Sequence, residues 1–312
     1  MDNSTGTTHK NTLVSVVIIN YNSSDYTVDC IKSIRKYTSN HSDYEVIVVD
    51  NNSEIQDFNS LKKDIEDLNY DNVSLYRNPI NAGFGGGNMF GFEHAKGKYI
   101  AFVNNDVEFK NDCISLLKDA LVKQNDIGVC GPTTLTENDK ILPTLDFYAS
   151  PLKFFFGRKV FKFIKPELYK NRKTKLDQIT YGDFVSGSFM FLASEVFNKA
   201  GGFDKNIFLY HEETDLCKRL SKLGLKAACV PEALCFHHHG ASTEKSSRIK
   251  AELKRSLLYV IRKHYGASNY KIIKLILQFK FAIKSLFSSK YVYLLKQISQ
   301  PITLEKSTKV TE

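Results

Sequence analysis

Residues 14–22 read VSVVIINYN, a β-branched apolar run that stops on three polar side chains, Asn20, Tyr21 and Asn22. A strand that is apolar at nearly every position, rather than at every second one, belongs in a sheet covered on both faces. The same device recurs twice: residues 45–49 run into Asp50-Asn51-Asn52-Ser53, and residues 99–103 run into Asn104-Asn105-Asp106. Between these runs the apolar period becomes helical, with Val28, Ile31, Ile34 and Tyr37 spaced along 25–38. A polar helix is expected at 55–69, a short strand at 73–76, a helix ending near Ala95, another at 111–123 and a strand at 127–130. Strands alternating with helices imply βαβ units, hence an α/β fold with a mostly parallel central sheet flanked by helices. Such sheets collect ligands beyond the carboxyl ends of their strands, where the strand order changes. All three polar clusters are expected at that edge.

Residues 132–182 lose the alternation. They are basic, carry Phe154, Phe155, Phe156, Phe161 and Phe163, and read as an inserted or mobile segment. Order returns with a strand pattern over 184–193, a Gly201-Gly202-Phe203-Asp204 turn, a helix over 211–223 and a strand at 226–230 before His237-His238-His239. From 244 to about 290 the chain reads as basic helix. The expected organisation is a disordered tail at 1–12, a nucleotide-binding domain at 13–243, a basic amphipathic helical region at 244–300 and a tail at 301–312.

A chain of 312 residues, 42% hydrophobic and 25% charged, suits a globular protein with a sizeable core. No apolar stretch nears the roughly 20 residues of a membrane span. The first 12 residues lack the apolar centre of an export signal, so a cytoplasmic location is expected. Cysteines 30, 113, 130, 217, 229 and 235 include no C-x-x-C pair and read as reduced, buried thiols. The net charge of +9 is regional. Residues 244–300 hold 13 Lys and Arg against Glu244 and Glu252, and residues 150–175 hold nine against Glu167, which leaves the rest net acidic. That distribution argues against nucleic acid as a partner. A basic amphipathic helix can instead lie on an anionic membrane surface, or pack on the domain or on a sister subunit.

A carboxylate at a strand end, flanked by amides, suits a hard divalent ion that also holds phosphate oxygens, which marks Asp106. The same residues also suit a simple turn. Asp50, Asn20, Tyr21 and Asn22 could each contact a base or ribose or do no more than turn the chain. The glycines of NAGFGGGNMFG (81–91) follow the third strand and lack the third glycine of a dinucleotide fingerprint, which disfavours a nicotinamide or flavin enzyme. They would let backbone approach a ligand or form a flexible turn. Glu212 and Glu213 open a helix and are candidates for a general base. They diverge by about 100° around a helix, so only one can face an acceptor well. Asp215 and Arg219, four apart, read as a structural pair. In extended chain His237 and His239 share a face opposite His238, and one imidazole could complete a metal site with Asp106.

With these residues in view, the sequence resembles the family 2 glycosyltransferases of GT-A fold, in their rhamnosyltransferase-like branch. The segments that carry the resemblance occur in family order over roughly 13–243: VSVVIINYN, EVIVVDNNS (45–53), NAGFGGGNMFG, YIAFVNNDVEF (99–109), GSFMFLASEVFNKAGGFD (187–204), HEETDLCKRL (211–220) and VPEALCFHHHGAS (230–242). The resemblance implies that Asn20, Tyr21 and Asn22 line a nucleotide pocket and that Asp50 binds base or ribose. It implies that Asn81 and Gly83 lie beside the nucleotide and that Asn104, Asn105 and Asp106 form the D-x-D-like motif. Asp106 would ligate Mg²⁺ or Mn²⁺ with His237, His239 being the fallback. The family has Glu-Asp where this chain has Glu212-Glu213, so Glu213 would be the base, one methylene longer than usual. The implied reaction is inverting transfer from a nucleotide-sugar donor, dTDP-rhamnose or a UDP-sugar, to a hydroxyl of a glycan or lipid-linked acceptor in cell-surface polysaccharide synthesis. The competing readings are a sugar nucleotidyltransferase and a non-catalytic nucleotide-sugar-binding module. The first lacks its glycine- and arginine-rich signature after Ile19; the second has no use for Asp106, Glu213 and His237 together.

Overall fold

The computed structural model describes residues 13–136, 138–171, 173–238 and 246–310. Its sheet is built around the opening run. β1 (Val14–Asn20) is buried along almost its whole length and lies between β2 (Tyr44–Asp50) and β4 (Tyr99–Asn104), parallel to both. β3 (Val73–Arg77) continues the parallel set beyond β2. The connections are α1 (Ser24–Tyr37), which buries Val28, Ile31 and Ile34, then α2 (Ile55–Leu68) and α3 (Gly83–Phe92). The chain therefore moves outward from β1 to β3 and returns to add β4 on the other side. This change of direction opens a crevice above the carboxyl ends of β1 and β4.

The far half of the sheet is mixed. β5 (Val107–Phe109), α4 (Cys113–Lys123) and β6 (Ile127–Leu135) follow β4. β11 (Phe189–Ala193) inserts antiparallel between β4 and β6, and β12 (Lys226–His237) runs parallel to β6 and antiparallel to β5. α8 (Ser194–Lys199) and α9 (Glu212–Lys222) lie between those two strands in the chain. β12 is longer than the strand expected at 226–230, and that length carries His237 to the site.

Residues 132–182 do not lose structure. β6 runs on to Leu135, followed by β7 (Ile141–Leu142), β8 (Leu145–Asp146), α5 (Pro151–Phe156), α6 (Phe161–Ile164), α7 (Pro166–Asn171), β9 (Thr180–Gly182) and β10 (Phe184–Val185). Phe147 and Phe161 stack with ring centres 4.0 Å apart, and both are buried. They join the same buried cluster as Val17, Ile47 and Phe102 of the central sheet, whereas Phe155, Phe156 and Phe163 stay exposed, a division that alternation of strand and helix could not announce. The six cysteines are all free and buried.

The glycine-rich stretch is neither loop nor flexible turn, because Gly83–Phe92 is helical. A methyl group on Gly91 would stand 2.4 Å from Val17 Cγ1 and 3.1 Å from Val49 Cγ2. α3 lies so close to β1 and β2 that a side chain there has no room.

α10 (Ser247–Ser285) is broken at Gly266 (φ 85°, ψ 170°) and is followed by α11 (Ser289–Ser299). Its first half packs on the domain: Leu258, Tyr259 and Ile261 are buried, and Ser256 Oγ donates to Leu209 O at 2.7 Å. The described part of the expected tail, 301–310, is a strap rather than a tail. Ile302, Thr308 and Val310 are buried, Phe208 N donates to Thr308 Oγ1, and Val310 N donates to Glu252 Oε1. Among the described residues, no helix is long and apolar enough to cross a membrane.

Candidate active site

Asn20, Asp50 and Arg77 stand side by side at the carboxyl ends of β1, β2 and β3. Asn20 Nδ2 donates to Asp50 Oδ1 (3.1 Å), Ser53 Oγ (3.2 Å) and Asp57 Oδ2 (2.8 Å), and its Oδ1 accepts from Thr27 Oγ1 (2.9 Å). With no exposure and its amide fully committed, Asn20 supports the pocket wall from beneath instead of lining it. Asp50 is equally buried. Its Oδ2 takes a hydrogen bond from Ser53 N and lies 3.4 Å from Arg77 Nε. Contact between Asp50 and a base or ribose would require Arg77 or Ser53 to give way. Tyr21, 46% exposed, and Asn22, in the left-handed region (φ 52°), are at the open edge.

Asn51 is the residue that the sequence reading passed over. Its Nδ2 donates to Asn81 Oδ1 and Gly83 O, both at 3.1 Å, while its Oδ1 accepts from Asn78 Nδ2 and Ala82 N. Asn81 is therefore held to β2 and in turn accepts from Gly83 N. Gly83 itself has φ 72°, and a methyl on it would stand 1.9 Å from Phe208 O. Its requirement is local crowding at the start of α3, with Phe84 N bonded to the same carbonyl.

Beyond β4, Asn105 Nδ2 donates to Ser23 Oγ (2.7 Å), Ser23 O and Thr27 Oγ1, so it ties the loop after β1 to the loop after β4. Asp106 is 2% exposed, and His237 Nε2 lies 3.1 Å from its Oδ1 without the alignment of a hydrogen bond. Burial pushes the Asp106 carboxyl up, but the neighbouring His237 and His238 rings outweigh it and hold it below the ordinary carboxylate value. Two adjacent ligands of an octahedral ion with bonds near 2.1 Å are about 3.0 Å apart. An aspartate oxygen and an imidazole nitrogen at 3.1 Å, one buried and unpaired, fit such an ion. His238 is committed elsewhere, with Nε2 2.7 Å from Glu108 Oε1. His239 lies outside the described residues. Among those described, no third His, Cys, Asp or Glu completes a cluster around Asp106 and His237.

α9 begins after two consecutive left-handed residues, Tyr210 (φ 69°) and His211 (φ 72°). Non-glycine residues hold that region at a cost, and such strain gathers at functional sites. The two glutamates then separate. Glu212 is 2% exposed, packs under α3 where Gly85 leaves room, and has an Oε1 with no hydrogen-bond partner among the described residues. Burial, reinforced by Glu213, raises its carboxyl well above the usual range. Glu213 is half-buried, and burial pushes it up to about 7 against the partial opposition of its own backbone and Lys153. A methyl on Gly187 would lie 3.9 Å from Glu213 Oε2, so the carboxylate sits against the turn between β10 and β11. In that turn Ser188 O accepts from Asn104 N at 2.9 Å. A short chain of contacts thus joins Glu213 to Asn104, two residues before Asp106.

Asp215 faces away from this site. Arg219 binds its Oδ2 (2.7 Å), and Lys263 (2.7 Å) and His264 (2.8 Å) bind its Oδ1, so it anchors α10 to α9. Two cations were also missed. Arg77 could have been found, as a charge at a strand end; Lys153, in a segment without visible order, could not. Ser150 and Pro151, which cap and open α5, were its only local signal.

Two solved structures share this architecture at low identity. GalNAc-T7 with UDP, GalNAc and Mn²⁺ superposes with a TM-score of 0.63 at 16% identity, over 91% of this chain and 54% of that one. The mannosyltransferase PcManGT from Pyrobaculum calidifontis, with GDP-Man and Mn²⁺, gives 0.58 at 13% identity, over 94% and 76%. The fold is therefore the GT-A type, and its carboxyl-end crevice holds the residues described above. The sequence pattern described as "Glycosyl transferase family 2" matches residues 15–194, more than half of the chain. The chain belongs to that family and is a glycosyltransferase. Rhamnosyltransferase WbbL of Escherichia coli (strain K12) is 25% identical over 278 residues, covering 80% of this chain and 94% of that one. The N-acetylglucosaminyl-diphospho-decaprenol L-rhamnosyltransferase of Mycobacterium tuberculosis (strain ATCC 25618 / H37Rv) is 25% identical over 174 residues, covering 54% of this chain and 56% of that protein.

Proposed function

We propose that this glycosyltransferase moves a sugar, with inversion, from a nucleotide-diphosphate donor to a hydroxyl of a glycan or lipid-linked acceptor. The observation that carries the reading is Glu213: a half-buried carboxylate raised to about 7, set against the turn that holds Asn104. A base with that proton affinity is suited to take the proton of a sugar hydroxyl as it attacks near neutral pH. The hydroxyl oxygen then displaces the diphosphate from the opposite face of the anomeric carbon, and no protein nucleophile is needed. Glu212, more deeply buried beside it, is pushed upward by that burial, which favours its neutral form and keeps a second negative charge away from the base. Asn51 and Asn105 orient the loops around the donor. Asp106 and His237 would hold Mg²⁺ or Mn²⁺, with His239 as an alternative ligand. That ion would supply positive charge to the departing diphosphate.

Both rhamnosyltransferase relatives favour dTDP-rhamnose as the first donor to test, and UDP-sugars as the second. The diphospho-decaprenol in the mycobacterial relative's name favours a lipid-linked acceptor. The same reading places the protein at the inner face of the cell membrane, attached peripherally through 244–300, with a homodimer as the other use of that region. A thermal-shift screen of nucleotide sugars with Mg²⁺ or Mn²⁺, followed by turnover with the hits, tests the proposal. A ligand that binds only the native state must raise the melting temperature. If no nucleotide diphosphate or nucleotide sugar stabilises the protein in the presence of either ion, the reading fails.

A further inference from the structure

α10 carries two apolar faces beyond Gly266, and among the described residues only one of them is covered. Tyr270, Ile273, Leu277 and Phe281 are buried and pack with Leu294 and Ile298 of α11. Ile272, Leu275, Ile276, Phe279, Ile283 and Leu286 are exposed, with Phe279 at 67% and Leu286 at 80%. At 100° per residue these six fall in a strip roughly 100° wide on the side away from α11. The same phase puts Lys271 on one border of the strip and Lys280 on the other, while Lys284 lies over Tyr291 of α11. Isolated exposed leucines are ordinary, but a continuous strip edged by cations on both sides is the pattern of a helix lying in a membrane interface.

The charges choose between occupants. Residues 267–287 contain no Asp or Glu. A two-fold pairing of this face with a second copy would set like patch against like patch, lysine rim against lysine rim. Anionic lipid phosphates answer the same lysines, while the acyl boundary takes the strip. α5 packs against α10. Its Phe154 packs with Leu257 and Tyr265 against the α10 cluster, and the next two residues, Phe155 and Phe156, are exposed at 47% and 65% before Arg158 and Lys159.

We infer that the second half of α10, together with Phe155 and Phe156, is the surface by which the protein lies on an anionic bilayer. The inference narrows the broad membrane assignment of 244–300, because the first half of α10 is occupied by the domain. It rests on the peripheral membrane attachment proposed above for that region.

Flotation of the full chain with phosphatidylcholine vesicles, with and without phosphatidylglycerol, tests this against the variant Leu275→Ser/Phe279→Ser/Leu286→Ser. These side chains are exposed, so the variant should melt like the wild type. The expected result is salt-sensitive binding to the anionic vesicles only, weakened about tenfold or more in the variant. Equal flotation of both proteins, or none of either, overturns the inference. So does a wild-type dimer, seen in sedimentation, that the variant dissociates without any vesicle binding. Turnover with a water-soluble acceptor should be unchanged in the variant. Flotation reads the surface and turnover reads the transfer chemistry, so either can fail alone.

Discussion

Around Asn20, Asp50 and Asn51 each buried polar side chain is answered by another protein group, whereas around Asp106 and Glu212 some are not. Asn20 alone makes three donations and accepts one. Across the crevice, Asp106 Oδ1 and Glu212 Oε1 are buried without a hydrogen-bond partner among the described residues. Buried polar atoms are nearly always paired, so an exception asks for a ligand, a proton or a catalytic duty. The Asn20–Asp50 side is a finished wall, with its polar groups already paired. The Asp106–Glu212 side keeps unspent capacity, and its two glutamates, Glu212 and Glu213, are pushed upward by burial. Changes on the first side should register as stability, and changes on the second as rate.

The largest effect that would break this contrast is at Asp106. Asp106→Ala should lower turnover about 10³-fold or more and remove any Mn²⁺-induced rise in melting temperature. A variant that keeps its Mn²⁺ shift would move the ion elsewhere. Glu213→Gln should lower kcat about 10²- to 10⁴-fold with little change in donor KM. The wild-type kcat should rise with pH through about 7 as the carboxyl loses its proton, and the variant's residual rate should lack that limb. Glu212→Gln should cost much less. If Glu212→Gln proves the more damaging, the roles are reversed.

Asp215 belongs with the finished wall despite its place on α9. Burial raises its carboxyl, but His264, Arg219 and Lys263 outweigh that and hold it well below the usual range. Asp215→Ala should remove about 3–5 kcal/mol of unfolding free energy in urea melts, because three donors lose their acceptor. Asp215's contribution is complete above its unfolded value of 3.8 and fades as pH falls towards the depressed native value. Gly91→Ala should cost about 1–3 kcal/mol by forcing α3 off β1, with kcat nearly intact. The last effect, on stability rather than rate, is again at Glu213. Its native value lies above the ordinary 4.5, so the folded state binds more protons between 4.5 and about 7. Stability must then fall as pH rises through that window, and Glu213→Gln should flatten the slope.

Legibility differed between the same two regions. The three strands with polar ends could be read because burial on both faces leaves a continuous apolar run, a purely local signal. Parallel pairing then sets Asn20 beside Asp50 and Asn104 beside Ile19, so the three polar ends meet at one edge. The meaning of the glycines was not. Gly91 answers to Val17 and Val49, more than forty residues away, and no spacing rule reports that distance. Nor could the length of β12 be anticipated. Val230 is followed by Pro231, which suggests an ending, yet a register shift between Val230 and Leu234 lets the strand continue to His237.

From its letters alone the chain specified a parallel-sheet core, a carboxyl-end crevice and a family motif order, because these depend on residues near one another in sequence. Tertiary structure decided which glutamate lies against Gly187, which amides are already spent and which face of α10 stays exposed among the described residues. Each of those outcomes depends on contacts such as Glu213 with Gly187, Asn51 with Asn81 and Asp215 with His264. Such contacts form only when distant segments pack, so their chemistry is set by neighbours that local sequence does not contain.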